Sequence, residues 1–179
     1  MTRELLWGVF IMSDRFRDIF DDWQGDEGLP DELGDHERIE PRRLDEKEVR
    51  VVGVYEHQES GVPPQYFVLL QDTRGRRVPI WIGRTEAVSI SMALEGDMPD
   101  RPMTHDLLKN VIERLGGTVE RIIVDDLWQS TFYAKIIIVR NGVSLDIDSR
   151  PSDAIALALR TRSPIYVAEP VFESIAEAT

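Results

Sequence analysis

Three kinds of side chain in this sequence stand at spacings that suit work on an anionic group. Asp146 and Asp148 are two residues apart in an extended stretch, so they share one strand face. Asp153 follows about one turn into a helix and is expected to converge on that strand end. Carboxylates with open water positions suit a hard divalent ion, magnesium or manganese, which activates water and neutralises developing charge. Glu86 stands at the matching helix start earlier in the chain and is a fourth candidate ligand. His105 is expected at another helix start, where the positive end of the dipole favours the neutral imidazole that a general base needs. Arg101-Pro102 and Arg150-Pro151 each precede a helix. Each places a guanidinium beside a helix N-terminus, and both attract phosphate.

Each of these residues also has a plain structural role open to it. An acid in the first turn of a helix is stabilised by the dipole without any metal, which suffices for Glu86 and Asp153. Asp146 and Asp148 fit the solvent side of a half-buried strand. His105 fits an exposed helix start, and the two arginines fit ion pairs with a carboxylate such as Asp148 or Glu86. Arg74, Arg76 and Arg77 form the densest basic cluster of the body and are weaker candidates for backbone contact. Trp128 stands at an expected hairpin tip, where it can stack on a base or pack on a neighbour.

The elements that must position these residues follow from periodicity. Phe16, Ile19, Phe20 and Trp23 form one apolar stripe, which predicts an amphipathic helix over Ser13–Gln24. Acidic, Gly- and Pro-bearing residues 25–48 read as a solvated linker. From Val49 onward, strands are expected at Val49–Glu56, Tyr66–Gln71 and Arg77–Ile82, then helices at Arg84–Glu95 and Thr104–Leu115. Ala87, Ile90, Ser91 and Leu94 are the expected packing face of the first helix, and Thr104 the expected N-cap of the second. Further strands are expected at Thr118–Asp125, Thr131–Arg140 and Val143–Ile147, a helix at Pro151–Arg160, and a short strand at Ile165–Ala168. Domain boundaries therefore fall at 1–48 for an acidic arm, 49–171 for the body and 172–179 for a tail.

The second half of the body repeats the first at an offset of 67 residues. Phe67-Val68-Leu69-Leu70 falls on Ala134-Lys135-Ile136-Ile137, Val78 and Ile80 fall on Leu145 and Ile147, and Glu86-Ala87-Val88 falls on Asp153-Ala154-Ile155. The fold class expected is α+β: two βββα units forming a mainly antiparallel sheet packed with helices, related by a pseudo-twofold axis.

Composition narrows the classes. With 179 residues the chain suits one domain with an appendage. The absence of cysteine excludes disulfides, thiolate metal sites and a cysteine nucleophile. The net charge of -12 is uneven: residues 1–48 hold 15 acids and 7 bases, residues 49–179 hold 18 acids and 14 bases. The arm carries most of the acidity, so whole-chain charge does not exclude a nucleic-acid face on the body. The apolar run Leu5–Met12 is far short of the ~20 residues a membrane helix needs. A secretory signal is not expected either, and a cytoplasmic protein is. GxGxxG, Walker A, GxSxG and HExxH patterns are absent.

Three stretches resemble the bifunctional nuclease domain family: Val78-Pro79-Ile80-Trp81-Ile82-Gly83 with Glu86-Ala87, Arg101-Pro102-Met103-Thr104-His105-Asp106-Leu107-Leu108, and Asp146-Ile147-Asp148-Ser149-Arg150-Pro151-Ser152-Asp153-Ala154-Ile155-Ala156-Leu157-Ala158. The likeness spans roughly Val49 to Val171 and leaves the acidic arm outside it. It implies an α+β fold, a self-associating bacterial protein with a dimer favoured, and cleavage of both DNA and RNA. On that expectation His105, Asp148 and Asp153 are the candidate catalytic residues. Arg101 and Arg150 are the phosphate grips, and Asp146, Asp148, Asp153 and Glu86 the magnesium or manganese ligands. Two other readings of the same residues are a non-catalytic protein-binding or regulatory module and a small-anion sensor built on the Arg-Pro helix starts.

Overall fold

The computed structural model describes residues 45–97 and 99–177. The helix expected at Ser13–Gln24 lies outside the described residues. Seven strands form one sheet: β1 (Glu46–His57), β2 (Gln65–Asp72), β3 (Arg77–Ile82), β4 (Thr118–Trp128), β5 (Thr131–Arg140), β6 (Val143–Ser149) and β7 (Ile165–Ala168). Among the described residues four helices accompany them: α1 (Arg84–Glu95), α2 (Thr104–Arg114), α3 (Pro151–Thr161) and α4 (Glu169–Glu177). Among the described residues, no helix is long and apolar enough to cross a membrane.

The strand order is β3-β2-β1-β7-β4-β5-β6. Two meanders flank β7, which is antiparallel to β1 and parallel to β4. β1 and β4 therefore run in opposite directions, as a twofold axis normal to the sheet requires. The α+β class and the duplication are both present. The repeat needs one adjustment of register. Val68 pairs with Ile80, while Ile136 pairs with Ile147. The offset of 67 that places Ile80 on Ile147 thus becomes 68 between β2 and β5, because the two hairpin turns differ in length. Val68 corresponds to Ile136, not to Lys135; a one-residue slip in a strand exchanges its faces.

One face of the sheet carries the core. Val68, Leu70, Val78, Ile80, Ile122, Val124, Ala134 and Ile136 alternate onto it and are buried. α3 packs into this face, and Ala154, Ile155, Ala156, Leu157 and Ala158 are fully buried. A helix that is apolar all round belongs in the interior. Ile155 and Leu157 each stabilise it by roughly 1.5–3 kcal/mol. The small-residue contact expected of α1 lies instead on the alanines of α3. On α1 the buried residues are Ala87, Ser89 and Ile90, while Leu94 is exposed. β1 begins at Glu46, three residues before the expected start. Residues 169–177 form α4; Pro170 is tolerated in its first turn, where a missing N–H costs nothing, and Val171 and Phe172 reach the core.

Candidate functional site

The starts of α1, α2 and α3 converge at the end of the sheet where β3 and β6 finish. At the start of α1, Gly83 is the N-cap and Glu86 the third helical residue. The Glu86 carboxylate folds back over Gly83, where any Cβ would collide with Oε2. It accepts its own backbone N–H, the Thr85 hydroxyl at 2.9 Å and Arg150 Nη2 at 3.1 Å. Those donors hold its pKa below the ordinary glutamate value, the backbone N–H first among them.

At the start of α2 the N-cap is Met103, not Thr104, so His105 is the second helical residue. Asp106 supplies the cap that Met103 cannot: its Oδ2 accepts the Met103 N–H at 3.0 Å. At the start of α3, Arg150 is the N-cap, Pro151 the first residue and Asp153 the third. The Arg-Pro reading of this helix start holds.

Asp153 joins these pieces. Its Oδ1 lies 3.2 Å from His105 Nε2, and its Oδ2 accepts Arg150 Nε at 2.9 Å. Burial pushes its pKa up, but the Arg150 and His105 hydrogen bonds outweigh that and hold it below the usual aspartate value. The other ring nitrogen of His105, Nδ1, lies 2.9 Å from Ser89 Oγ on α1. An ionised Asp153 accepts only, so Nε2 carries the hydrogen and Nδ1 is left to accept from Ser89. The chain Ser89–His105–Asp153–Arg150–Glu86 thus links all three helices. Thr85, Met103 and Thr104 complete the lining of a cleft of about 300 Å3.

Arg160 holds the three helices together beneath this cleft. Its side chain is 7% exposed. Its Nε donates to Asp106 Oδ1 at 2.7 Å, Nη1 to Ala156 O at 2.9 Å and Nη2 to Ser89 O at 3.2 Å.

Of the expected site, the structure brings together His105, Asp153, Arg150 and Glu86. It does not bring Asp146 or Asp148 to them. Ile147 shares the core face with Ile136, so Asp146 and Asp148 point to the opposite face, where Lys135 lies between them and Asp125. Among the described residues, no three His, Asp or Glu side chains are grouped to hold a metal. The four carboxylates expected as ligands therefore do not fit one ion: two lie across the sheet, and Glu86 and Asp153 are already occupied by Arg150. Arg101 is exposed, outside the cleft lining, and forms no ion pair with the described residues.

The hairpin arginines also divide. Arg76 is committed to structure: Nε donates to Asp72 at 2.8 Å, Nη1 and Nη2 donate to Glu169 at 2.6 and 3.0 Å, and the guanidinium stacks on Phe172 at 4.0 Å. Asp72 in turn accepts the Arg74 and Arg76 N–H groups. Trp128 is exposed at its hairpin tip and makes no ring contact among the described residues. Ser89 and Arg160 escaped the sequence reading. Each looks like an ordinary helix residue until the pseudo-twofold packing places their neighbours.

The fold and this cleft define a duplicated α+β domain with one polar site at three helix starts. The profile of the bifunctional nuclease domain matches residues 68–179, and the chain belongs to that family. An uncharacterized protein of Mycobacterium tuberculosis is 43% identical over 125 residues, covering 69% of this chain and 73% of that protein. Bifunctional nuclease 1 of Oryza sativa subsp. japonica is 26% identical over 109 residues, covering 58% of this chain and 33% of the plant protein. Bifunctional nuclease 2 of Arabidopsis thaliana is 25% identical over 123 residues, covering 64% and 37%.

Proposed function

We propose that this chain hydrolyses phosphodiester bonds of DNA and RNA with low sequence selectivity, in the cleft between the starts of α1, α2 and α3. The observation that carries the reading is Asp153, shared between an imidazole and an exposed guanidinium at a helix start. Arg150 is 67% exposed, and its Nη1 has no partner among the described residues, so that edge can take a phosphate oxygen. The N-termini of α1 and α3 stand behind it as further anion attractors. Asp153 fixes the imidazole so that Nδ1 is basic and faces the Ser89 hydroxyl. A water bonded to Ser89 Oγ passes its proton through the serine to Nδ1 as its oxygen attacks phosphorus. The leaving oxygen takes its proton from solvent water, and the imidazolium releases the one it gained to solvent through Ser89.

The test is cleavage of labelled single-stranded RNA and DNA by wild type, His105→Ala and Asp148→Asn, each with magnesium, manganese or EDTA. The reading expects activity lost in folded His105→Ala and kept in Asp148→Asn. Loss in Asp148→Asn with retention in His105→Ala would move the site to the opposite sheet face. The three metal conditions decide whether an ion assists, a step to which the cleft's own carboxylates are not committed.

A second reading, a binding module, is favoured by one observation. Leu107, Leu108 and Val111 of α2, Leu115 at its C-cap, and Val143, Leu145 and Ile147 of β6 are all exposed. The two sets adjoin: Gly117 lies against both Ile112 and Ile138, and Ile138 pairs with Leu145. These seven side chains offer on the order of 500 Å2 per copy, so a contact between two copies reaches about 1,000 Å2, enough for a specific dimer. A homodimer through this face does not compete with the catalytic reading, because none of these seven side chains lines the cleft.

A further inference from the structure

The sheet has a second face, and its two halves differ. On β1–β3 the register places a row of aromatic rings across three strands: Tyr55 pairs with Phe67, and Phe67 pairs with Trp81. Tyr55 and Phe67 are stacked at 5.3 Å between centroids, and Phe67 and Trp81 are tilted at 5.1 Å. Trp81 is 55% exposed and Tyr55 41% exposed, so ring faces are left toward solvent. A second cross-strand row, Arg50–Gln71–Arg77, lies four residues along β2 and β3, about 13 Å away at ~3.3 Å per residue. β2 and β3 contribute no carboxylate to this face. Two carboxylates border it: Glu48 at the β7 side, two residues before Arg50 on β1, and Glu59 after β1, whose Oε1 lies 3.1 Å from Nε2 of His57, the ring that packs edge-on to Trp81. The β4–β6 half of the same face is more acidic: Asp125, Asp146 and Asp148 surround Lys135, and Arg121, opposite Ile137 on β4, is paired with Glu46 and Glu120.

We infer that the β1–β3 half of this face is a binding platform for single-stranded nucleic acid. Exposed rings on a sheet surface take unstacked bases, and guanidinium groups one or two nucleotides away take the phosphates. The acidic half sets the edge of the footprint by repelling the backbone. Trp81 also lines a cleft of about 290 Å3 with Glu86 and Arg150. A strand leaving the platform at Trp81 therefore arrives at the proposed cleavage site. In this form the inference rests on the nuclease reading and deepens it. It names single strands as the substrate class and gives the same face of β1–β3 as the source of weak selectivity, since every base has a π-face.

The test is fluorescence anisotropy of the full chain with labelled oligo(dT), oligo(rU) and a matched DNA duplex, in EDTA and over a salt series. Variants are Tyr55→Ala, Trp81→Ala, Arg77→Gln and Tyr133→Ala, each checked by circular dichroism. Tyr133 is an exposed ring on the acidic half and serves as the control. Tyr55→Ala and Trp81→Ala are expected to weaken Kd for single strands about fivefold or more each. Arg77→Gln is expected to lower the salt slope by about 0.7. Tyr133→Ala leaves binding unchanged, and the duplex binds more weakly because its base faces are covered. The inference is overturned if wild type fails to bind single strands, if the duplex binds as tightly, or if Tyr133→Ala weakens binding as much as Tyr55→Ala. Binding that persists without cleavage in the earlier assay removes the catalytic reading alone, while cleavage that is indifferent to Tyr55→Ala and Trp81→Ala removes the platform alone.

Discussion

Arg160→Ala separates the scaffold of the cleft from its chemistry. The guanidinium is buried and serves three acceptors on three helices: Asp106 on α2, Ser89 O on α1 and Ala156 O on α3. Removing one member of a buried ion pair costs about 3–5 kcal/mol. Asp106 is 29% exposed and keeps its bond from Met103 N–H, so water relieves part of the penalty and the lower end, about 3 kcal/mol, applies. For a folded body of this size that lowers Tm by roughly 10 °C. Arg160→Lys retains charge but not the fork, and about half the loss is expected. Arg160→Met keeps the stem and separates packing from charge. Urea denaturation at neutral pH measures this as a fall in midpoint with an unchanged m value. Acid titration supplies an independent sign. Burial raises the Asp106 pKa, but Arg160 and the Met103 N–H outweigh it and leave the folded value depressed. The corresponding stability is present above the unfolded aspartate value of about 3.9 and is lost as pH falls through the folded one. Arg160→Ala should therefore flatten the acid limb of the stability curve. A loss below about 1 kcal/mol, or an unchanged acid limb, would refute the assignment of Arg160 as the clamp.

Three further outcomes follow from the geometry. Asp153→Asn keeps an acceptor for His105 but releases Arg150; cleavage should fall about a hundredfold while urea stability falls by no more than about 1 kcal/mol, and equal activity would remove Asp153 from the mechanism. Gly83→Ala forces the Glu86 carboxylate off the α1 start. A stability loss of about 0.3–1 kcal/mol is expected, and an unchanged urea midpoint would contradict the proposed packing. Val111→Glu with Leu145→Glu should convert a dimer to a monomer by light scattering without unfolding it, and a persisting dimer would place the interface elsewhere.

Most of the fold was legible because alternation and helical periodicity are local properties. The succession of strands and helices along the chain and the helix starts at Arg84 and Pro151 follow from residues within a few positions of one another, and the duplication from that local pattern recurring 67 residues on. The register of β2 differs by one from the sequence repeat because hairpin length, not sequence likeness, sets it. The site was half legible. His105, Asp153, Arg150 and Glu86 announce themselves as polar residues at helix starts. Asp146 and Asp148 were read correctly as sharing a face, but which face is decided by Ile147 pairing with Ile136 over the core. Arg76 looked like free positive charge because Glu169, its partner, lies 93 residues away.

The duplication also explains why the Ser89–His105–Asp153 arrangement occurs once, not twice, among the described residues. At an offset of 67, Gly83 corresponds to Arg150, Glu86 to Asp153, and Ser89 to Ala156. The two halves thus bring the same backbone device, a helix start with an acid at its third position, to either side of the pseudo-axis. Arg160 donates to the carbonyls of Ser89 and Ala156, a symmetry-related pair, and so sits close to that axis. What breaks the symmetry is side-chain chemistry. One half has glycine where the other has arginine, so a single guanidinium serves both carboxylates. One half has serine where the other has alanine, so a single hydroxyl meets the imidazole. The imidazole itself comes from α2, which has no counterpart after α3, where β7 follows instead. Two equivalent helix starts supply the anion-attracting frame. The unpaired insertion supplies the imidazole that joins Ser89 of one half to Asp153 of the other.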